Sequence, residues 1–204
     1  MIFICTFSFV LYFSIIMLID KVRLATSAHH QTLDHSMMPF IEAVQSKNDY
    51  AALLLLFYGF FKPVYDSIDA FIDTSSLPDY QSRRKPEWIL NDLNELKVNY
   101  TIQLCQQLPV INNNSAAFGA LYVLEGSTLG GIVIKQMITD KLHIKKGVTF
   151  FSGYGKQTRE RWKLFLHSLN KVDNQDMADE TVIQAAVTTF TFFKGWLQQS
   201  GLQQ

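Results

Sequence analysis

The strongest constraint on the fold is the spacing of apolar residues, which recurs every three to four positions along most of the chain. That spacing is the period of an amphipathic helix, and no convincing run alternates as a strand would. The nearest to a strand, Gly147 to Phe151, is short. Helices are predicted at about Ile19 to Val44, Tyr50 to Phe61, Val64 to Phe71, Glu87 to Leu96, Ser115 to Thr139, Thr158 to Val172 and Asp179 to Leu197. The pattern therefore predicts an all-α, single-domain bundle of seven or eight helices.

Helix boundaries follow from local residue types. Asn48 and Asp49 are typical of a cap before the second helix, and Pro63 fits the first turn of the third. The polar segment Ser75 to Arg84 contains Pro78 and is expected to be a loop.

Charge and cysteine content exclude several classes of protein. The 18 basic and 18 acidic residues cancel, so the chain has no electrostatic footprint for nucleic acid. Cys5 and Cys105 form no CxxC pair, which argues against a disulfide framework and a zinc site. The expected compartment is the reducing cytoplasm.

Residues 1–19 form a separate hydrophobic extension without a charge. They lack the basic start and cleavage site of a signal peptide. We favour a mis-assigned start, with the true chain opening at Met17. The alternative is a membrane anchor, for which Lys21 and Arg23 would place the rest in the cytoplasm. Residues 20–204 are expected to form the functional domain in either case.

Four of the ten glycines, Gly119, Gly126, Gly130 and Gly131, fall in one helical stretch. Each costs about 1 kcal/mol relative to alanine inside a helix, so something is expected to approach this backbone closely. Tight helix packing and a flat ligand both satisfy that requirement. Glu125 and Ser127 flank the glycines, where they could hold an ordered water.

The first helix carries three histidines, His29, His30 and His35. His30 and Asp34 are four residues apart and share a face, where a carboxylate fixes an imidazole as a metal ligand. Such pairs are also common on solvated surfaces. His29 lies nearer the apolar stripe, so the pattern alone does not choose between the two neighbours. A histidine helix facing a glycine helix would suit a planar metal macrocycle, with an axial ligand on one side and space for O2 on the other.

Several segments resemble the haem oxygenase family. RLATSAHHQTLD (23–34) is similar to the proximal-helix motif, in which the iron ligand follows an Ala-Thr pair by four residues and precedes an acid by four. GALYVLEGSTLGG (119–131) resembles the distal helix of bacterial members, including the biliverdin-producing enzymes that supply bacterial phytochromes. RRKPEWILNDL (83–93) and FFSGYG (150–155) are similar too. The resemblance covers about residues 20–197.

This resemblance implies haem as both cofactor and substrate, held between a proximal and a glycine-rich distal helix. His30 would be the iron ligand, and the other haem-binding residues would be Asp34, Arg23, Thr26 and Tyr122. The catalytic distal face, which crowds O2 toward a meso carbon, would consist of Gly126, Ser127, Gly130 and Gly131. The implied products are biliverdin, CO and Fe²⁺, with electrons from an external reductase or ferredoxin. A bacteriophytochrome is the implied recipient of biliverdin.

Two departures from the family pattern keep other functions open. Ser127 stands where mammalian members carry an aspartate that holds a water. The later basic pair expected for the haem propionates falls on Trp162 and Leu166, and the candidate replacements are Lys21, Arg83, Arg84 and Lys135. The alternatives are a non-catalytic haem-binding sensor or carrier, and a membrane-anchored helical interaction protein that binds no haem.

Overall fold

Helices form almost all of the regular structure in the computed structural model of the chain. It describes residues 17–172 and 176–201, with side chains from 17 to 172 and from 178 to 200. The helices there are α1 (Leu18–Glu42), α2 (Lys47–Ile68), α3 (Glu87–Leu96), α4 (Asn114–Leu142), α5 (Thr149–Ser152), α6 (Thr158–Leu169) and α7 (Asp176–Gly201).

The described residues contain no strand, and the Gly147 to Phe151 segment leads into helix α5. Short 3-10 turns lie at Tyr80–Ser82, within the expected loop, and at Gly155–Gln157. The all-α, single-domain class is therefore confirmed. The hydrophobic extension up to residue 16, including Cys5, lies outside the described residues.

Helix α2 runs through Pro63 without interruption, so the prediction of separate helices at Tyr50 to Phe61 and Val64 to Phe71 is wrong. Proline has no backbone N–H, which leaves the carbonyl of Gly59, four residues earlier, without its helical partner. The backbone N–H of Cys105 donates to that carbonyl oxygen at 2.9 Å. Because a distant segment replaces the missing hydrogen bond, the helix continues.

The N-cap of α2 is Ser46, not Asn48 or Asp49. Ser46 Oγ accepts a hydrogen bond from the backbone N–H of Asp49 at 3.2 Å. In return the Asp49 carboxylate accepts one from the backbone N–H of Gln45 at 3.0 Å. Asp49, the third residue of α2, therefore completes an arrangement like a capping box, with its hydrogen bond to the residue before the N-cap. The hydrogen bond to the Ser46 side chain is the main reason that the pKa of Asp49 is lowered.

The core is centred on α2 and is rich in aromatic rings. Phe60 stacks on Phe193 of α7 with ring centroids 4.8 Å apart. Phe57 meets the ring of Phe151 of α5 edge to face at 5.0 Å. The indole N–H of Trp196 donates to the carbonyl of Leu56 at 2.9 Å. These buried rings fill the interior of the bundle rather than line an open pocket.

Helix α7 is the common neighbour of the two helices that carry the candidate site. Both α1 and α4 pack along α7, while α1 and α4 meet each other at few positions. Helices α5 and α6 pack against α4. Among the described residues, α2 and α4 are long and apolar enough to cross a membrane, but 67% and 56% of those windows are buried in the fold. Such burial is typical of core helices.

Candidate functional site

The proximal side of the candidate site is His30 on α1, whose side chain is 59% exposed. Its Nδ1 lies 2.9 Å from Oδ2 of Asp34, one helical turn later. The imidazole also meets the ring of Phe190 on α7 edge to face, with centroids 5.6 Å apart. With Nδ1 beside the carboxylate, Nε2 is the nitrogen left to bind a metal, and no described residue bonds to it.

The neighbouring histidines have different surroundings. His29 is half-buried. His35 places Nδ1 2.7 Å from the carbonyl oxygen of Gln31. Within the described part of the chain, His30 is the one of the three that pairs with a carboxylate. The geometry therefore favours His30 as a ligand over His29, a choice that helical spacing alone leaves open.

The remaining residues expected to bind haem lie on α1 and α4, and they differ in burial and in hydrogen bonding. Arg23 is exposed on α1, with Nη1 3.4 Å from Asp20. Thr26 is buried, and its hydroxyl donates to the carbonyl of Val22 at 2.7 Å, so it is committed within its own helix. Tyr122 is half-buried on α4, and its ring lies 5.4 Å from that of Trp162 on α6.

The four glycines of α4 divide into two pairs. A Cβ on Gly119 would overlap the carbonyl oxygen of Val182 on α7. A Cβ on Gly131 would lie 2.8 Å from the carbonyl oxygen of Phe151. These two glycines therefore allow helix packing, and Gly131 does not lie on the open face where it was expected.

Gly126 and Gly130 form the open pair. A Cβ on Gly126 would lie 3.6 Å from the ring of Trp162, at ordinary contact distance, and one on Gly130 would meet nothing within 4 Å. Beside Gly130, the side chains of Leu129 and Val133 are exposed although they are apolar. Helix α4 thus presents an uncovered apolar strip with a smooth backbone at its centre, which suits a flat ligand.

This division predicts opposite effects of the same substitution. Gly119→Ala should lower the free energy of unfolding by about 1–3 kcal/mol, because the new methyl group overpacks against α7. Gly130→Ala should instead raise it by about 0.5–1 kcal/mol, because alanine is the better helix former and meets no neighbour. Urea denaturation of both variants without haem measures the difference. Equal losses in the two variants would show that Gly130 is also a packing glycine.

Behind the strip lies a buried ionic network that helical periodicity does not reveal. Glu125 is 1% exposed, and Oε2 accepts a hydrogen bond from Nη1 of the fully buried Arg83 at 2.6 Å. The hydroxyl of Tyr154 donates to the same carboxylate at 2.9 Å, and that of Tyr65 lies 3.5 Å away. Burial, and then the charge of Glu125, raises the pKa of both phenols, so they remain protonated donors.

One signal in the sequence could have indicated this network. A glutamate in an otherwise apolar helical run is almost never buried unless it is paired, so Glu125 required a buried cation from elsewhere in the fold. The sequence does not say which cation, because Arg83 lies 42 residues away.

Arg84 links the network to Ser127. Its Nη2 donates to Ser127 Oγ and to the carbonyl oxygen of Leu124, both at 2.6 Å. Ser127 Oγ in turn donates to the Leu124 carbonyl at 2.7 Å. The Arg84 guanidinium lies over the ring of Phe150 at 4.2 Å, and its Nε is buried without a partner among the described residues. An ordered water is the natural partner for such an atom.

Arg83 and Arg84 are therefore not propionate ligands, and that expectation is wrong. Both side chains are buried and bonded inward: Arg83 donates to Glu125, and Arg84 donates to the Leu124 carbonyl in the interior of α4. Lys21 forms an ion pair with Asp179 at 2.8 Å. Lys135 is half-buried on α4. Arg23 remains an exposed candidate on the proximal helix.

The described residues offer no second cluster of metal ligands, and the cavity found among them lies away from the candidate site. The described residues hold no cluster of three or more histidine, cysteine or acidic side chains. A cavity of about 730 Å³ lies between α7 and residues 108–116, but it includes neither His30 nor a glycine of α4. One free imidazole nitrogen and an apolar strip fit a metal that arrives in its own flat macrocycle.

Comparison with known proteins gives the family. The Heme oxygenase family model matches residues 17–199. A haem oxygenase structure from Leptospira interrogans superposes with a TM-score of 0.70 at 14% identity, covering 90% of this chain and all of that one. The NO- and CO-bound haem oxygenase from Neisseria meningitidis gives 0.64 at 24% identity, covering 91% and 92%. No curated protein sequence matches. The chain belongs to the haem oxygenase family.

Proposed function

We propose that this chain is a haem oxygenase that uses O2 and electrons to open haem to biliverdin, CO and Fe²⁺. The observation that carries the proposal is the His30–Asp34 pair on α1 together with the uncovered Gly130 on α4, in a chain of this family. Bound haem would supply the iron that binds O2 and the porphyrin ring that is cleaved. The protein would work in the cytoplasm and pass biliverdin on, with a bacteriophytochrome as the proposed recipient.

His30 and Asp34 would define the proximal side. Nε2 of His30 would ligate the iron while Nδ1–H faces the Asp34 carboxylate 2.9 Å away, which fixes the tautomer and makes the imidazole a stronger ligand. Contact with Phe190 restricts the rotation of the ring. Arg23, seven residues before His30, would pair with a propionate.

Gly126 and Gly130 would form the distal side. The missing side chain at Gly130 lets the helix backbone approach the ring closely, and Leu129 and Val133 would exclude water from its surroundings. The backbone at Gly130 and these two side chains would together leave a narrow space from which water is excluded.

Ser127 would hold a water in the distal pocket. Because its proton goes to the Leu124 carbonyl and Arg84 already donates to it, Ser127 Oγ can accept a further hydrogen bond but cannot donate one. A serine backed by a guanidinium would thus replace the aspartate of mammalian members with an acceptor of different charge. Arg84 is a positioning residue in this proposal.

Addition of haemin to the full chain, followed by ascorbate in air, tests the proposed function. A saturating Soret band that decays into the broad red absorption of biliverdin is expected. A stable Soret band after reduction would instead support a non-catalytic haem sensor or carrier. Ser127 favours this alternative, because it stands where mammalian members carry an aspartate. The absence of any Soret band would rule out the haem site.

Gly130→Leu should weaken haem binding by at least about tenfold, because the side chain would occupy the space that the ring needs, at a cost of about 1.4 kcal/mol or more. The fold should be retained, since nothing lies within 4 Å of a Cβ at this position. Haemin titration measures the affinity, and Gly195→Leu on α7 is the matched control, because a Cβ there would also meet nothing within 4 Å. Unchanged affinity in Gly130→Leu would remove Gly130 from the site.

A further inference from the structure

Arg84 differs from the other arginines of the buried network because no acid lies beside it. Glu125 and Asp79 both accept hydrogen bonds from Arg83, and Asp79 also pairs with Arg161 at 3.0 Å. The Arg84 guanidinium forms no ion pair with a described residue, although Arg84 is only 1% exposed. Buried arginines are almost always paired with an acid, because an isolated charge in the interior is costly. The network therefore contains one cation whose charge is not neutralised where it lies.

Neutral groups hold this guanidinium in place. Nη2 donates to Ser127 Oγ and to the Leu124 carbonyl, both at 2.6 Å, and Nη1 donates to the carbonyl oxygen of Phe150 at 3.4 Å. The centroid of the Phe150 ring is 4.2 Å from the cation, and that of Phe61 is 5.7 Å away. Carbonyl dipoles and aromatic faces stabilise a cation, but unlike a carboxylate they carry no net charge. The positive field of Arg84 consequently extends past these contacts.

Ser127 connects this charge to the distal side of the candidate haem site. It follows Gly126 directly on α4 and is half-buried. Its hydroxyl donates to the Leu124 carbonyl at 2.7 Å and has no negative charge with which to offset the guanidinium. An aspartate at this position would instead pair with Arg84. The serine therefore leaves the distal side of the site electrostatically positive.

We propose that the buried charge of Arg84 makes the distal side of the haem site selective for negatively charged iron ligands. This inference rests on the proposed function, because it concerns the ligands of bound haem. Arg84 acts at a distance and behind Ser127, so it is a positioning residue and does not touch the ligand. A fixed charge in a site of low dielectric stabilises an opposite charge without reorganising. Azide, a small anion, should therefore bind the ferric complex more tightly than it would without Arg84.

The variants Arg84→Met and Arg84→Lys test the proposal against Lys85→Met. Lys85 is the adjacent cation, and it pairs with Asp69 at 2.8 Å rather than with Ser127. Azide titration of the haem-loaded full chain should give an affinity at least about tenfold lower in Arg84→Met. Arg84→Lys keeps the charge and should retain most of the affinity, and Lys85→Met should be unchanged. Carbon monoxide is neutral, so its affinity for the ferrous complex should be the same in all of these proteins.

A second pair of variants leaves Arg84 in place, so it does not depend on the folding of Arg84→Met. Ser127→Asp puts a carboxylate beside the guanidinium and should lower the azide affinity at least about tenfold. Ser127→Asn has nearly the same shape without the charge and should not lower it. The affinity for carbon monoxide should again be unchanged in both variants.

The reduction potential of the bound haem gives a readout that needs no added ligand. A nearby positive charge favours the ferrous form, which carries one positive charge less than the ferric form. Arg84→Met and Ser127→Asp should therefore lower the midpoint potential by about 59 mV, which corresponds to a tenfold change for one electron. Ser127→Asn and Lys85→Met should leave the potential unchanged.

The possible failures are distinguishable. Equal azide affinities in Ser127→Asp and Ser127→Asn would overturn the proposal, because charge beside Arg84 would then have no effect. Carbon monoxide affinity that falls in parallel with azide affinity would also overturn it, since the substitutions would then have altered the shape of the pocket. Haemin binding without ring opening would defeat the proposed function, while the azide affinities would still decide the role of Arg84. The absence of a Soret band would contradict both.

Discussion

His30→Ala should abolish the iron–histidine bond of the haem complex and stop ring opening. The reason is that Nε2 of His30 bonds to no described residue, while its Nδ1 lies 2.9 Å from the Asp34 carboxylate. Resonance Raman spectra of the ferrous complex report the iron–imidazole stretch directly, and added imidazole should restore that band. Asp34→Asn should have a smaller effect, with haem affinity or activity about 10–100-fold lower.

His29→Ala is the matched control for this prediction. His29 is adjacent in sequence but half-buried and without a carboxylate partner in the described structure. Its removal should leave the iron–imidazole band and the turnover nearly unchanged. If His29→Ala were the variant that lost the band, the iron ligand would be His29, and a different face of α1 would contact haem.

Arg83→Met should produce the largest loss of stability, about 3–5 kcal/mol in the free energy of unfolding. The substitution leaves the Glu125 carboxylate buried without the guanidinium that now lies 2.6 Å from it. Burial alone would lower the pKa of Arg83, but the charges of Glu125 and Asp79 raise it above its ordinary value. The pairing with Glu125 therefore stabilises the charged form of Arg83 in the interior. Urea denaturation of the haem-free protein, followed by circular dichroism, measures the loss.

Two further variants isolate the cause of that loss. Lys62→Met breaks the exposed ion pair between Lys62 and Asp66 and should cost only about 0–1 kcal/mol. The double variant Arg83→Met/Glu125→Leu removes both buried charges and should recover most of the stability. A loss in Arg83→Met no greater than in Lys62→Met would contradict the role given to the network.

The fold could be predicted from the sequence because helical periodicity is a local property. The long segments of α1, α4 and α7 were expected from apolar spacing alone. Pro63 misleads because its effect depends on Cys105, whose N–H reaches the Gly59 carbonyl from an irregular segment more than forty residues later along the chain. Local pattern contains no information about that contact, so the expected break in α2 does not occur.

The candidate site was only partly predictable, for the same reason. Spacing placed His30 and Asp34 together, and the structure has them in contact. The glycines of α4 look alike in sequence, yet Val182 and Phe151 determine which of them pack and which stay open. Arg83 and Arg84 looked like surface cations because their buried partners lie about forty residues away.

The most direct test of the central claim is the carbon monoxide released when the full chain, loaded with haem, is reduced in air through a single turnover. Trapping the gas with ferrous myoglobin gives its amount from the absorbance change. The proposed function predicts CO stoichiometric with the haem consumed, together with biliverdin, and none from the His30→Ala variant. Loss of haem colour without CO, or CO release unaffected by His30→Ala, would contradict enzymatic ring opening at this site.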